Sequence, residues 1–224
     1  MNGMKTMNKF IEKPTYYPQM FEVNNIEEAK RIILTPENRI NTKERWQKET
    51  PFTVNQIIDL LKPDKNSILL DYGCGIGRLA KGLIQKVSCN ILAIDISLTM
   101  RQLAPAYVNS PLFSVCTPEL ADIMVANGLS VDSVYSVWVL QHCYDPIQDL
   151  LRIKRVLKTG GYFYILNNLF RAVPTDKGWI NDNINIIDIL NQLFKEVWSS
   201  PIPEWLIFQD APRLTFQKVF QKEL

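Results

Sequence analysis

The 224-residue chain is long enough for one domain with a substantial core and too short for two ordinary ones. Its 46% hydrophobic and 21% charged residues exclude a disordered or collagen-like chain, and a formal charge of +2 demands no polyanionic partner. Cys74, Cys89, Cys116 and Cys143 form no CxxC pair and no zinc-type spacing, so reduced thiols and no metal site are expected.

The segment MNGMKTMNKFIEKP lacks the apolar run of a secretory signal, and no stretch reaches the roughly 18 apolar residues of a membrane span, so a cytoplasmic chain without a membrane segment is expected. Residues 1–50 are polar and interrupted by Pro14, Pro18 and Pro36, with one short helical pattern at 26–34; they read as an N-terminal helical and irregular lid segment. Residues 51–224 read as the main domain. A helix from Phe52 carries Val54, Ile57, Ile58 and Leu61 on one face and stops before Pro63.

Strand-like runs then alternate with helical patterns. SILLDY, NILAIDI, PLFSVC, VDSVYSVWVL and YFYILNN are separated by helices at RLAKGLIQKV, TMRQLAPAYV and ELADIMVAN, and by a helix from Pro146 to Leu157. This alternation signifies βαβ units and a parallel sheet buried on both faces, an α/β fold. The helix opened by Asp145-Pro146 is expected to end at Gly160-Gly161. Beyond residue 168 come a loop, VPTDKGWINDN, a helix near IIDILNQLFKEVW, and a terminal antiparallel hairpin made of EWLIFQ and RLTFQKVF.

In Asp71-Tyr72-Gly73-Cys74-Gly75-Ile76-Gly77 a buried strand meets a helix, so Gly73, Gly75 and Gly77 occupy the carboxyl edge of the sheet, where open α/β sheets bind ligands. Eighteen residues after Gly77, Asp95 ends the next apolar run, where its carboxylate can accept both ribose hydroxyls of a nucleoside. The dinucleotide fingerprint needs glycine at position 78, which is Arg78 here. Asp71 adds a negative charge that favours a cofactor bearing an ammonium and a sulfonium and repels a pyrophosphate. A nicotinamide-dependent oxidoreductase becomes the minority alternative.

These residues resemble the class I, Rossmann-like S-adenosylmethionine-dependent methyltransferases of the methyltransferase-domain type 11/12 kind. The resemblance rests on LLDYGCGIGRLAKGL, AIDIS and the segment VDSVYSVWVLQHCYDPIQDLLRIKRVLKTGGYFYILNN. It implies a three-layer sandwich around a seven-stranded, mainly parallel sheet whose last strand is antiparallel. It also implies that Asp71, Gly73, Gly75 and Gly77 face the methionine part of S-adenosyl-L-methionine, with Asp95 on the ribose, Ile96 against the adenine and Met100 closing over it. Thr117 is expected near the adenine amino group, and the backbone of Trp138 and Val139 near the methionine ammonium. Arg45 and Trp46 are candidates for the cofactor carboxylate.

Methyl transfer is an in-line displacement for which the protein positions the reactants, so a general base is optional. His142, the single histidine, follows the fourth strand and is the candidate base. Tyr144, Gln141, Asn167 and Arg171 are further rim candidates, and Trp138, Trp179, Trp198 and Trp205 are candidates to line an apolar pocket. The Asn/Asp-Pro-Pro-Tyr sequence of nucleic-acid amino-methylating relatives is replaced by Val139-Leu140-Gln141-His142. A small-molecule acceptor is therefore expected ahead of a protein or RNA acceptor, and the competing class is a non-catalytic cofactor-binding interaction subunit. Oligomeric state is not encoded in these features.

Overall fold

Residues 14–36, 40–203, 206 and 214–223 are described in the computed structural model of the chain. Five apolar runs become the parallel strands β1 (Ile68–Tyr72), β2 (Asn90–Ile94), β3 (Phe113–Cys116), β4 (Val131–Val137) and β5 (Leu157–Asn168). Two short strands, β6 (Val173–Thr175) and β7 (Gly178–Ile180), pair as a separate antiparallel ribbon. The sheet is completed by β8 (Lys195–Ser200) and β9 (Thr215–Gln221), giving the order β3-β2-β1-β4-β5-β9-β8. β9 runs antiparallel to both of its neighbours.

Seven helices flank this sheet among the described residues: α1 (Ile26–Ile33), α2 (Thr42–Leu61), α3 (Arg78–Val87), α4 (Leu98–Val108), α5 (Pro118–Ala126), α6 (Pro146–Val156) and α7 (Ile186–Leu193). Successive strand residues serve opposite layers, as the two-residue period of a strand requires. Leu69, Tyr135 and Tyr164 pack with Val54 and Ile57 of α2 and Leu83 of α3, whereas Leu70, Val134 and Phe163 pack with Leu150 and Ile153 of α6 and Leu190 of α7. The result is the expected three-layer sandwich. No helix among the described residues is long and apolar enough to cross a membrane.

Local chemistry moves several expected boundaries. The helix expected from Phe52 begins at Thr42, because Asn41 and Glu44 form a reciprocal capping box: Glu44 N–H donates to Asn41 Oδ1 at 3.0 Å and Asn41 N–H to Glu44 Oε2 at 3.0 Å. Pro51 is tolerated inside α2 where both it and Gln47, whose carbonyl loses its helical donor, are exposed residues. The division at residues 50 and 51 thus crosses a continuous helix. α6 ends at Val156, ahead of the glycines expected to stop it, and Gly160 and Gly161 belong to β5 next to a register shift opposite Val131 and Ser133.

The expected helix through KEVW ends at Leu193, and Lys195–Ser200 is β8, whose pairing with β9 supplies what local periodicity did not reveal. The antiparallel hairpin is therefore β8 with β9. The expected strand EWLIFQ falls, apart from Leu206, outside the described residues. The expected loop at 173–183 contains the β6–β7 ribbon.

Gly77 precedes α3 at φ 79°, and a Cβ there would lie 2.4 Å from Val108 Cγ2 and 3.3 Å from the Phe113 ring. Gly128 at φ 95° has no atom within 4 Å of such a Cβ. Gly128→Ala is expected to cost about 1–2 kcal/mol of left-handed strain. Gly77→Ala adds overpacking and is expected to cost about 2–5 kcal/mol. Urea unfolding of the two variants checks the difference, and equal losses would remove the packing role of Gly77.

Candidate functional site

Where β1 and β2 end, the backbone doubles over itself. The N–H groups of Gly73 and Cys74 both donate to Ile94 O, at 2.8 and 3.0 Å, and Gly75 N–H donates to Asp95 Oδ2 at 2.7 Å. The other Asp95 oxygen accepts from Ser97 N–H at 2.9 Å. Burial raises the Asp95 pKa against the lowering effect of these two bonds. A cavity of about 830 Å³, ordinary for a small-molecule site, opens above the loop. A Cβ on Gly75 would come within 2.6 Å of Ile33 Cδ1, so only glycine lets α1 approach the loop this closely.

The inner end of the cavity holds an unusual set of buried charges. Glu49, fully buried, accepts from Arg45 Nη2 at 3.1 Å, Arg78 Nη2 at 3.3 Å and Trp138 Nε1 at 2.7 Å. Trp138 adopts φ 62°, a conformation few bulky residues take, and turns the chain away from β4 so that Val139 covers Gly73. Asp71, next to this cluster, has one buried oxygen, Oδ2, with no hydrogen-bond partner among the described residues. Burial pushes its pKa up to about 7; the neighbouring Tyr135 hydroxyl and Arg78 oppose the shift, and Asp95 adds to it.

The outer end is aromatic. Tyr16 and Phe21 come from the segment before α1, His142 and Tyr144 from the loop after β4, and Trp179 from β7. The His142 and Trp179 rings lie 5.1 Å apart, Tyr16 and Tyr144 5.1 Å, and Phe21 and His142 5.8 Å. His142 Nδ1 is 2.7 Å from Ala172 O and therefore carries the proton, while Nε2 is 3.2 Å from the Gln141 amide nitrogen. Gln141 Oε1 accepts from Asn168 N–H at 3.1 Å, which fixes the amide nitrogen as the donor to the imidazole. Burial lowers the His142 pKa, so the ring is neutral near pH 7.

A polar network borders the rings. Tyr72 O–H donates to Asp149 Oδ1 at 2.5 Å, and Arg152 Nη1 reaches both groups at 3.0 Å while its Nε and Nη2 grip Asp122. The segment before α1 is fastened at both ends over the cavity. Thr15 N–H donates to Asp176 Oδ1 at 2.8 Å and Tyr17 N–H to Pro174 O at 3.0 Å. The Glu22 carboxylate takes Leu98 N–H, Thr99 N–H and Thr99 O–H at 3.0, 3.0 and 2.6 Å, at the positive end of α4.

The structure brings Arg45, Asp71, Gly73, Gly75, Asp95, Ile96, Met100, Trp138, Val139 and His142 to the cavity wall. Three expected residues do not line it. Gly77 faces Val108, Trp46 packs edge-on to Tyr107 beneath the Arg78 guanidinium, and the Thr117 hydroxyl caps α5 by accepting from Leu120 N–H. Among the rim candidates, Gln141 and Tyr144 line the cavity; Asn167 is buried and accepts from Gln141 N–H, and Arg171 is paired with Asp182. Of the four tryptophans, Trp138 and Trp179 line the wall, Trp198 packs against the core, and Trp205 lies outside the described residues. Sequence periodicity did not single out Tyr16, Phe21, Glu22 and Glu49, whose partners are 29 to 89 residues away where the contacts run from Glu49 to Arg78 and Trp138.

Residues 70–165 match the family described as a methyltransferase domain. The phosphoethanolamine N-methyltransferase 1 of Arabidopsis thaliana is 26% identical over 127 residues, 54% of this chain and 26% of that protein, so the chain spans about a quarter of that relative's length. A solved [4+2]-cyclase covers 94% of the chain with a TM-score of 0.67 at 13% identity, the match spanning 98% of that structure. The magnesium protoporphyrin IX methyltransferase of Synechocystis PCC 6803, solved with bound SAH, covers 88% at a TM-score of 0.60 and 16% identity, spanning 94% of that structure. At such identities the structural matches speak for the fold.

The raised pKa of Asp71 sets a sign for stability. The folded state holds this proton more tightly than the unfolded chain, so the contribution is full below about pH 4 and is lost as pH rises through about 7. Asp71→Asn is expected to abolish that loss and to gain on the parent protein by a few kcal/mol between about pH 4 and 8. Thermal melts across this range test it, and parallel curves for the two proteins would refute the buried charge.

Proposed function

We propose, on the premise that residues 70–165 are a class I, Rossmann-like methyltransferase domain, that the chain transfers a methyl group from S-adenosylmethionine to a small-molecule acceptor. The observation that carries this reading is the unpartnered, buried Asp71 oxygen beside the glycine loop, which suits an ammonium group. The donor set fits the remaining parts of the cofactor. Asp95 keeps lone pairs beyond those used by Gly75 and Ser97, and these would take the ribose hydroxyls. Ile96, half-exposed, and buried Met100 offer apolar walls for the adenine.

Arg45 would hold the carboxylate end, and the turn at Trp138 and Val139 would close on the methionine. When bound, the cofactor supplies an electrophilic methyl group on a positively charged sulfur. The protein's share is to fix the acceptor in line and to exclude water, worth up to about 7–11 kcal/mol in favourable geometry. His142 is the candidate base for an acceptor that must shed a proton, since it is neutral and the Gln141 amide can be displaced from Nε2. The Arabidopsis relative's name, with its small acceptor, supports a small molecule over a protein or RNA. A cytoplasmic setting belongs to the same reading, supported by four cysteines that are all free thiols.

A second reading is cofactor binding without transfer, since the fold alone, shared with a [4+2]-cyclase, does not fix methyl transfer as the activity. Formation of S-adenosylhomocysteine with an amine or hydroxyl acceptor panel separates the two. Cofactor binding should also report on Asp71. Its carboxylate must be ionised to pair with an ammonium, so affinity is expected to rise about fivefold from pH 6 to 7 and to level off toward pH 8 as the ammonium titrates, with proton release at the lower pH visible by calorimetry in two buffers. Asp71→Asn should flatten that rise. Asp95→Ala is expected to weaken binding by about 1.5–3 kcal/mol, and unchanged affinity would remove the ribose role.

A further inference from the structure

The proposed cofactor contacts at Asp71, Asp95, Ile96 and Met100 leave the ring-lined end of the cavity unassigned, and its chemistry is specific. Tyr16, Phe21, His142, Tyr144 and Trp179 arrive from three separate stretches of chain and form two groups on the cavity wall: Tyr16 with Tyr144 at 5.1 Å, and Phe21, His142 and Trp179 at 5.1 to 6.2 Å between ring centres. Trp179 is 50% and Tyr144 67% exposed, so these rings form a mouth that an entering molecule meets before reaching the glycine loop. Asp149, paired with Tyr72 and Arg152, also lines the cavity.

Cations near this mouth are already committed. All three nitrogens of the Arg152 guanidinium donate to Asp122, Asp149 or Tyr72, and Arg171 is held by Asp182 and by the carbonyls of Leu140 and Tyr144. His142 is neutral. Among the described residues, Asp149 and Arg152 offset each other here, and what the mouth offers an entering cation is its ring faces. Ring faces carry negative quadrupolar charge and attract cations.

Resting on the methyltransferase reading, we infer that the methyl acceptor is an amine nitrogen on an apolar or aromatic body, bound in this box of rings. In the reaction the nitrogen lone pair forms the N–C bond while the C–S bond breaks and its pair goes to sulfur. The positive charge leaves the sulfur and appears on the nitrogen. A site that stabilises cationic charge at the acceptor thus grows more favourable along the reaction, which is the condition for lowering the barrier. An alkoxide or carboxylate acceptor carries negative charge into the site and loses it in the same step, so the ring faces repel it at the start and give its transition state nothing. The amine attacks as the free base; the proton it leaves behind passes to His142 Nε2 when the Gln141 amide swings off, or to water at the mouth.

Three probes that share a phenyl ring on a short alkyl chain test this: phenethylamine, 3-phenylpropanol and 3-phenylpropionate, each titrated calorimetrically into the full chain saturated with S-adenosylhomocysteine, and each assayed separately for methyl transfer from S-adenosylmethionine. Phenethylamine is expected to bind about tenfold or more tightly than the propionate and to be the probe that is methylated, at nitrogen. Trp179→Ala is expected to weaken phenethylamine about tenfold while leaving cofactor affinity unchanged, and Trp179→Phe, which keeps a ring, to restore most of it. Equal binding of the propanol or propionate, or methylation at oxygen, overturns the assignment to an amine. Failure of the unaltered chain to bind S-adenosylmethionine is a separate result that overturns the methyltransferase reading beneath it.

Discussion

One carboxylate with no contact with water organises the inner half of this molecule. Glu49 lies on α2, yet its oxygens hold the first residue of α3 through Arg78, a neighbour one turn away through Arg45, and the turn after β4 through Trp138. A charge buried without partners would cost several kcal/mol, so the three donors and the carboxylate require one another. That mutual requirement fixes the angle between α2 and the glycine loop. It also supplies an anchor for Trp138 in a backbone conformation that has to be over-determined by its surroundings to persist. Two guanidiniums on one carboxylate leave a surplus of positive charge at the end of the cavity nearest Asp71, and Arg78 is one of the groups that opposes the upward drift of the Asp71 pKa.

The central α/β pattern was readable because its cause is local. In ILLDY and NILAI every side chain after the first is buried, and a run without polar alternation is what a strand covered on both faces looks like. Asp71, Gly73, Gly75 and Asp95 were legible for the same reason: the loop that joins such a strand to its helix is short, and its special residues stand next to one another. Glu49 was not. In KERWQKET it stands among lysines and glutamates that face solvent, and nothing in the spacing tells that its partners are Arg78 and Trp138. β8 was misread as helix because KEVWSS has no strand periodicity of its own; its burial pattern is mostly exposed and its pairing with β9 makes it a strand.

The glycine signature itself divides into two jobs. Gly73 and Gly75 line the cavity, and the space beside each is already taken by Val139 or Ile33, so a side chain at either would push a wall of the site. Gly77 is directed the other way, at Val108 and Phe113, where it sets how closely α3 can approach α4 and β3. Three residues that look equivalent in sequence therefore answer to different constraints, two to the wall of the site and one to packing between layers.

The strap over the cavity carries a consequence for how the chain acquires its final form. Thr15 and Asp176, whose bond fastens one end, are 161 residues apart, while the Glu22 contacts at the other end span 76 and 77 residues. Residues 15–22 leave the ribosome well before either anchor exists, and the ribbon that receives Thr15 and Tyr17 is synthesised after β5. During most of translation the strap's apolar members, Phe21 among them, have nowhere to pack, and the cavity they will cover is still being assembled. The strap is thus made before every element that holds it down, and the site can close only once β6 and the turn after it have been made.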